Sequence, residues 1–508
     1  MLIDYVLGVD SRSRNDYYCE LSYTNEVGMI DVERVYFDGG FPAFVECDEY
    51  DPDRLDITSY LGKPLKYELR STVSNFNAHH LLDHVIRQKN PDLYDRYSKL
   101  NIPRVFSIDI ETEINDENGY SSPDKAENRI LSISITSDNF NTLCLVVDDK
   151  KYEKLTISDR AYIDSILEDS LGDFYNQRSY DYQIKAFDNE YDMLNTFVSH
   201  INRYFHVTIG WNVLDYDWTY IQNRCKRLGI NFYKSSPTGE KCPPKNSINI
   251  GLMTSVDTAR HRLFVDYMNL FKSSYVYKNL SGFSLNAISE EILGLSKVSY
   301  SGNLRTLYES DRLKFYAYAL VDTILVMLLH HTTALFNINV FQAYYNGIPY
   351  MKLNQNPVSE KLIYRYLIAR NKVFIESEFS TQDVRPYPGG FVKQPTKLTS
   401  NSTMGLDFNS LYPNSMITSM LSFETKSDIS IEVGEDGRPV NESEMSRWLG
   451  YRDQGYSLAP TGRLYRRVDD AIITEIEKSL LAERSEFKKI YMDIYLKYIP
   501  LIEKSLKS

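Results

Sequence analysis

Paired cysteines are missing from this sequence. Its five, Cys19, Cys47, Cys144, Cys225 and Cys242, are odd in number and never spaced C-x-x-C, which argues against a disulfide framework and against a zinc site of that spacing. Internal repeats and low-complexity tracts are absent, so solenoid architectures are set aside. The first residues, MLIDYVLGVDSRSRND, carry an acid at the fourth position and lack a basic n-region, an apolar h-region and a small-residue cleavage site, so a secretory signal is not expected. No apolar run approaches the roughly 20 residues that span a bilayer. An excess of positive charge is also lacking: 57 Lys+Arg against 69 Asp+Glu leave a net charge of -12. That balance disfavours a polyanion partner without excluding one, because such affinity depends on local cationic surface. The expectation is an intracellular protein of several domains, since 508 residues exceed what one core usually organises.

What is present is an ordinary folded composition, 43% apolar and 25% charged. Forty-one tyrosines could stack bases, but their spread along the whole chain favours packing in cores and interfaces. Residues 1–103 mix short strand-like runs (YYCELSY, AFVECD) with a helical stretch near 78–99 and read as a small α+β module. From 104 to about 340 the texture is mixed α/β: RVFSIDIE, RILSISITSD and VTIGWN read as strands among helical patterns. A polar, Pro-rich loop, KSSPTGEKCPPKNS, interrupts it at 234–247. RPYPGGFVKQP breaks regular structure after 384 and opens a third region. The tail from 474 reads as helix, apart from Pro500.

Three segments of this middle region place acids in unusual company. In VFSIDIETE, strand alternation puts Val105, Ser107, Asp109 and Glu111 on one face and Phe106, Ile108 and Ile110 on the other. Carboxylates so placed repel and raise each other's pKa unless cations lie between them, and hard oxygen ligands at this density suit Mg²⁺ or Mn²⁺. An acidic strand end facing water is the plainer alternative. In GWNVLDYDWTY an apolar strand runs into Asn212, then Asp215 and Asp217, which alone are ordinary turn residues. In FYAYALVDTILVMLLHH, Asp322 is the only charge in a long apolar helical run, with Tyr318 one turn before it on the same face. A buried carboxylate needs a cation, either a metal ion or an Arg or Lys elsewhere in the chain.

The order D-x-E, N-x-x-x-(F/Y)-D, Y-x-x-x-D resembles the 3′ to 5′ proofreading exonuclease of family B DNA polymerases. The matching residues are Asp109 and Glu111, then Asn212 with Tyr216 and Asp217, then Tyr318 and Asp322. The resemblance implies an RNase H-like exonuclease domain with a mixed sheet and two Mg²⁺ (or Mn²⁺) ions per active site. Asp109 would bridge both ions, Glu111 and Asp322 would complete the first, Asp217 would hold the second through water, and Tyr318 would orient the attacking water. Two cations that stabilise the attacking and leaving oxygens of a phosphodiester displacement are consistent with four carboxylates.

The likeness, nearest to the T-even-like bacteriophage type, continues through GFSLNAISEEILGLSK (282–297), RPYPGGFVKQP and GLDFNSLYPNSM (405–416). The last resembles the motif D-x-x-S-L-Y-P of the family's palm. There Asp407 and the Phe408 carbonyl would hold Mg²⁺, the Ser410 and Leu411 backbone N–H groups would meet the triphosphate, and the Tyr412 ring would lie where a ribose 2′-hydroxyl would clash. Pro413 suits the first helical position after that turn. Tyr387, Gly389 and Gly390 resemble a linker that contacts template DNA, although a plain domain linker would also use two glycines. Thr474 and Glu477 form a capping-box pattern. Arg484 and Lys488, four apart, resemble the triphosphate-binding pair of the fingers helix, or else form a solvated basic patch.

A second palm aspartate, the K-x-x-x-N-S-x-Y-G fingers helix and a thumb are missing. Asp257-Thr258 and Asp322-Thr323 are the only Asp-Thr pairs, and Glu435, Asp436, Asp469 and Asp470 lie in polar contexts. The resemblance therefore implies an N-terminal domain at 1–103 with 341–383 packing back on it, an exonuclease domain at 104–340, the first part of a palm at 384–468 and half of a fingers hairpin at 469–508. The expectation is the N-terminal subunit of a split DNA polymerase in a host cytoplasm, acting on primer-template DNA and dNTPs. A C-terminal partner chain would bring the missing aspartate, fingers lysine and thumb, and with them any sliding-clamp contact; no membrane partner is expected. A truncated polymerase, a stand-alone 3′ to 5′ exonuclease and a catalytically silent nucleic-acid-binding scaffold are the alternatives.

Overall fold

Strand alternation in VFSIDIET has two apolar sides to satisfy, and the chain supplies both. In the computed structural model Val105–Thr112 lies inside a six-stranded sheet. The order is Tyr182–Phe187, Thr142–Val147, Ile130–Ser137, Val105–Thr112, Val207–Gly210 and Leu263–Asp266. The three strands from 105 to 147 pair antiparallel, and the other three join parallel to their neighbours. Val105 faces one core, shared with the helix Arg312–Thr333, while Ile108 and Ile110 face a second core with Phe197, Trp218 and Tyr220. The structure describes all residues except 10–15, 61, 115–118, 149–154, 178–180, 202–206, 233–245, 250–251, 256–262, 278, 354, 375–401, 403 and 507–508.

Arg312–Thr333 owes its length to a run free of Gly and Pro, to a start at Asp311, whose side chain accepts from the Lys314 N–H, and to a left-handed stop at Ala334. Being apolar on nearly every side, it is long and apolar enough to cross a membrane by composition; yet 83% of its apolar 18-residue window is buried, as a core helix requires. Ser107 Oγ donates to the Thr323 carbonyl at 2.7 Å, and the Thr136 and Thr323 hydroxyls meet at 2.8 Å. These contacts fix the helix's register over the strand that carries Asp109 and Glu111.

The chain forms two compact units, Met1–Gly40 with Leu81–Val358, and Phe41–His80 with Ser359–Ser508. Residues 1–103 are thus divided between the units, whereas a linear reading keeps them together. The reason is strand pairing: Phe41–Glu46 pairs with Leu65–Arg70, and Thr58–Ser59 pairs with Lys372–Val373 from far along the chain. The first unit also holds the antiparallel strands Leu2–Val9, Asp16–Thr24 and Ile30–Asp38.

In the second unit the helix Leu411–Ser419 packs against Ile472–Leu506, beside a sheet of Lys426–Ser430, Arg463–Arg466 and Tyr456–Leu458. Three local expectations are corrected. The last helix starts at Ile472, because Glu424 Oε1 and Ser422 Oγ accept from the Ile472 and Ile473 N–H groups at 2.6 and 3.1 Å. Thr474 is therefore inside the first turn, its hydroxyl 3.9 Å from Met420 Sδ, and does not act as the cap; the helix also continues through Pro500. Pro413 occupies the third rather than the first position of its helix, where the backbone N–H it lacks has no intrahelical partner anyway.

Candidate active site

Asp109 and Glu111 leave the same face of their strand and meet Asp322 from the helix above it. One ligand oxygen from each lies within 4.8 Å of the other two, the only such group of three or more metal-ligating side chains among the described residues. The separate forecasts for VFSIDIETE and for the lone acid of FYAYALVDTILVMLLHH therefore converge on one place.

Asp217 reaches the same region by a different construction. After Val207–Gly210 the chain turns sharply: Gly210 has no room for a Cβ, which would meet Val213 Cβ at 2.6 Å and the Ile108 carbonyl at 2.9 Å. Asn212 takes a left-handed conformation (φ 60), and the Trp218 N–H reaches back five residues to Val213 at 2.8 Å. That wide turn brings the buried Asp217 to the carboxylate strand, where its Oδ1 accepts from the Ile110 N–H at 2.9 Å. The Tyr216 hydroxyl lies 3.2 Å from Thr112 Oγ1, a second tie between turn and strand. Asp217 stands near Asp109 without joining the group of three, and Asp215 is exposed.

Charge is only partly balanced in this cluster. Burial, and then repulsion from Asp322, push the Asp109 carboxyl up to about 7, against a pull downward from Lys297 and a hydrogen bond from Glu111. Burial first, then Asp109 and Asp322, raise Glu111 well above the usual carboxylate range; burial and then Asp109 do the same to Asp217. Asp322 is also raised by burial, although Lys297 and a hydrogen bond from Tyr318 oppose the rise. Lys297 Nζ donates to Asp322 Oδ2 at 2.6 Å. Burial acts to lower the lysine's pKa, but Asp322, Asp109 and Glu111 outweigh it and the net shift is upward.

Asp322 Oδ1 is buried and without a hydrogen-bond partner. An orphaned carboxylate oxygen beside two further carboxylates, all hard donors, fits a divalent cation such as Mg²⁺ or Mn²⁺.

Lys297 is the residue that sequence reasoning missed. The need for a cation near Asp322 was readable, but nothing local singles out a lysine 25 residues earlier. Two aromatic residues were also missed. Tyr300 packs edge-on to Tyr318 with ring centroids 5.3 Å apart. Burial first, then Tyr300, Glu111 and Tyr216, raise the Tyr120 hydroxyl, which places this 59% exposed ring at the rim of the carboxylate cluster.

In the second unit, Asp407 is exposed on a segment assigned to neither strand nor helix, and no group of three or more ligating side chains among the described residues includes it. Ser410 turns left-handed (φ 49) into the helix that begins at Leu411. Phe408 is 72% exposed and Tyr412 78%. Arg484 and Lys488 are exposed on Ile472–Leu506. Tyr387, Gly389 and Gly390 lie outside the described residues.

Residues 63–288 match the family model described as DNA polymerase family B, exonuclease domain, and residues 351–494 match the one described as DNA polymerase family B. The chain is similar to the DNA-directed DNA polymerase of Escherichia phage RB69, at 26% identity over 412 residues, 78% of this chain and 43% of that protein. It is similar to the DNA-directed DNA polymerase of Enterobacteria phage T4 at 26% over 313 residues, 60% and 33% of the two chains. The likeness to DNA polymerase II of Escherichia coli (strain K12) is 24% over 220 residues, 42% and 28%. The chain thus spans less than half the length of these curated relatives.

Proposed function

This chain belongs to DNA polymerase family B, and from that premise we propose that it removes nucleotides from DNA 3′ ends and contributes half of a polymerase site. The observation that carries the exonuclease reading is the convergence of Asp109, Glu111 and Asp322 with Asp217 close by. The mixed sheet with a helix carrying the last acid supports an RNase H-like domain. Two Mg²⁺ or Mn²⁺ ions would be held here by Asp109, Glu111 and Asp322, with Asp217 contributing from beside them. Bound there, they supply Lewis-acid polarisation of the scissile phosphate and stabilise the attacking and leaving oxygens.

The chain's own groups do the rest. Tyr318, held against Asp322, orients the attacking water. Lys297 keeps Asp322 ionised while its Oδ1 stays available. Asn212 contacts the DNA strand, and Tyr120 and Tyr300 offer ring faces to the terminal base.

For polymerisation we assign the metal to Asp407 and the Phe408 carbonyl, and the triphosphate to the Ser410 and Leu411 N–H groups with Arg484 and Lys488. The Tyr412 ring selects deoxyribose, while Tyr387, Gly389 and Gly390 touch template DNA. The carboxylate that completes this site, a fingers lysine, a thumb and any clamp contact would be supplied from beyond these 508 residues, in the same or in a second polypeptide. Primer-template DNA and dNTPs are then substrates of the complete enzyme, in a host cytoplasm. The exposed Asp407, which belongs to no ligating group among the described residues, also supports a second reading, in which the chain acts as an exonuclease alone.

The test uses 5′-labelled single-stranded DNA with Mg²⁺. Wild type is expected to yield a ladder shortened from the 3′ end, and Asp109→Ala none. Intact DNA with wild type would leave a non-catalytic nucleic-acid-binding role ahead.

A further inference from the structure

Asp266 closes the strand beside Gly210 and is almost fully buried, 1% exposed. Its Oδ1 accepts from the Asn269 N–H at 3.2 Å, which caps the helix Tyr267–Ser273, and from the Asn212 N–H at 3.3 Å. The Leu214 N–H pulls the same carboxyl's pKa down and so faces it. Its Oδ2 is buried with no hydrogen-bond partner. One side chain thus serves two structures: a helix start, and the corner from Gly210 to Trp218 that carries Asp217 to the carboxylate strand. A helix cap needs one acceptor, whereas the corner asks for a further bond to the same group.

The corner's other ties, Trp218 to Val213, Tyr216 to Thr112 and Asp217 to Ile110, leave the Asn212 N–H to Asp266. Asn212 is left-handed, a conformation that a non-glycine residue keeps only where its surroundings enforce it. Val213 and Leu214 are fully buried, so N–H groups in this turn that lose their acceptor have no water to turn to.

We infer that Asp266 is a positioning residue for the exonuclease site: by binding the Asn212 N–H and facing that of Leu214 it holds the corner in the shape that aims Asp217 at Ile110 and Asp109. The inference rests on the exonuclease reading above for its catalytic consequence, and on the corner alone for its structural one.

Three variants separate the two roles. Asp266→Asn keeps an Oδ1 acceptor. Asp266→Ser keeps a good helix cap but is too short to reach the corner as well. Asp266→Ala keeps neither. With the full chain, Mg²⁺ and single-stranded DNA, Asp266→Ser is expected to lose about 10- to 100-fold in kcat with KM little changed, as when a partner of a metal ligand is removed. Asp266→Asn should restore most of that loss. Amide exchange of residues 211–218 should quicken in the Ser and Ala variants and not in Asn. Wild-type exchange at 211–218 in Asp266→Ser, or an Asn variant as impaired as Ser, overturns the inference. Should the wild type cut no DNA, the exonuclease reading fails, and the exchange comparison still decides whether Asp266 holds the corner.

Discussion

Lys297→Met removes the cation bound to Asp322 and leaves its shape largely filled, so it isolates one charge pair. The carboxylate side chain is 3% exposed and the lysine side chain 31%. Removing one partner of a buried pair costs about 3 to 5 kcal/mol, and the partly wet lysine argues for the low end, about 3 kcal/mol. At roughly 2 °C per kcal/mol for a large domain, the metal-free variant should melt about 6 °C below wild type. A divalent cation that binds the folded cluster at about 100 times its Kd returns about 2.7 kcal/mol, and it does so through Asp322 Oδ1, which the lysine leaves open. The assay is thermal unfolding of wild type, Lys297→Met and Lys297→Arg in EDTA and in saturating Mn²⁺. Equal melting of wild type and Lys297→Met in EDTA would refute the claim that Lys297 neutralises Asp322. A deficit that Mn²⁺ leaves untouched in Lys297→Met, with no Mn²⁺ stabilisation of wild type, would refute the cation-binding role of the cluster.

Other expectations concern pH, the corner and the second unit. Asp109 titrates near 7 in the folded protein, above its ordinary 3.8, so the folded state retains a proton that the unfolded chain has released. Its stabilising contribution is complete below the unfolded value and is lost as pH rises through about 7; unfolding in EDTA should therefore occur at falling temperature from about pH 4 to about pH 7, and Mn²⁺ should flatten the slope. Gly210→Ala forces a Cβ to within 2.6 Å of Val213 Cβ and should destabilise the first unit by about 1 to 3 kcal/mol, measured in urea, with a matching loss of nuclease activity. Asp407→Ala should leave 3′-end removal within about twofold of wild type, because that carboxylate lies in the other compact unit; a tenfold loss would mean the two sites are coupled.

The acids were legible to different depths. Asp109 and Glu111 follow from period-two alternation, because a strand fixes which side each residue takes. Asp322 was marked by its loneliness in an apolar helix, yet its neighbours depend on how that helix registers on the sheet, which Ser107 and Thr323 set across a separation of 216 residues. Asp217 needed family order, since a turn aspartate looks like any other until the Gly210 corner is built. Lys297 and Asp266 carry no local pattern at all: one answers a charge far along the chain, the other caps a helix in an ordinary way while bonding a second turn. The division of residues 1–103 between the units was equally hidden, because it depends on pairing Thr58–Ser59 with Lys372–Val373. The misplaced start of the last helix has the same cause, since its caps, Ser422 and Glu424, come from another part of the chain.

The most direct measurement is a Mn²⁺ titration of the purified chain followed by electron paramagnetic resonance, with 3′-end removal recorded on the same samples. Wild type should bind Mn²⁺ and gain activity in parallel, and Asp109→Asn and Asp322→Asn should lose both. Activity that survives EDTA, or Mn²⁺ binding unchanged in both variants, would contradict the assignment of Asp109, Glu111 and Asp322 as the metal-holding centre of a 3′ to 5′ exonuclease.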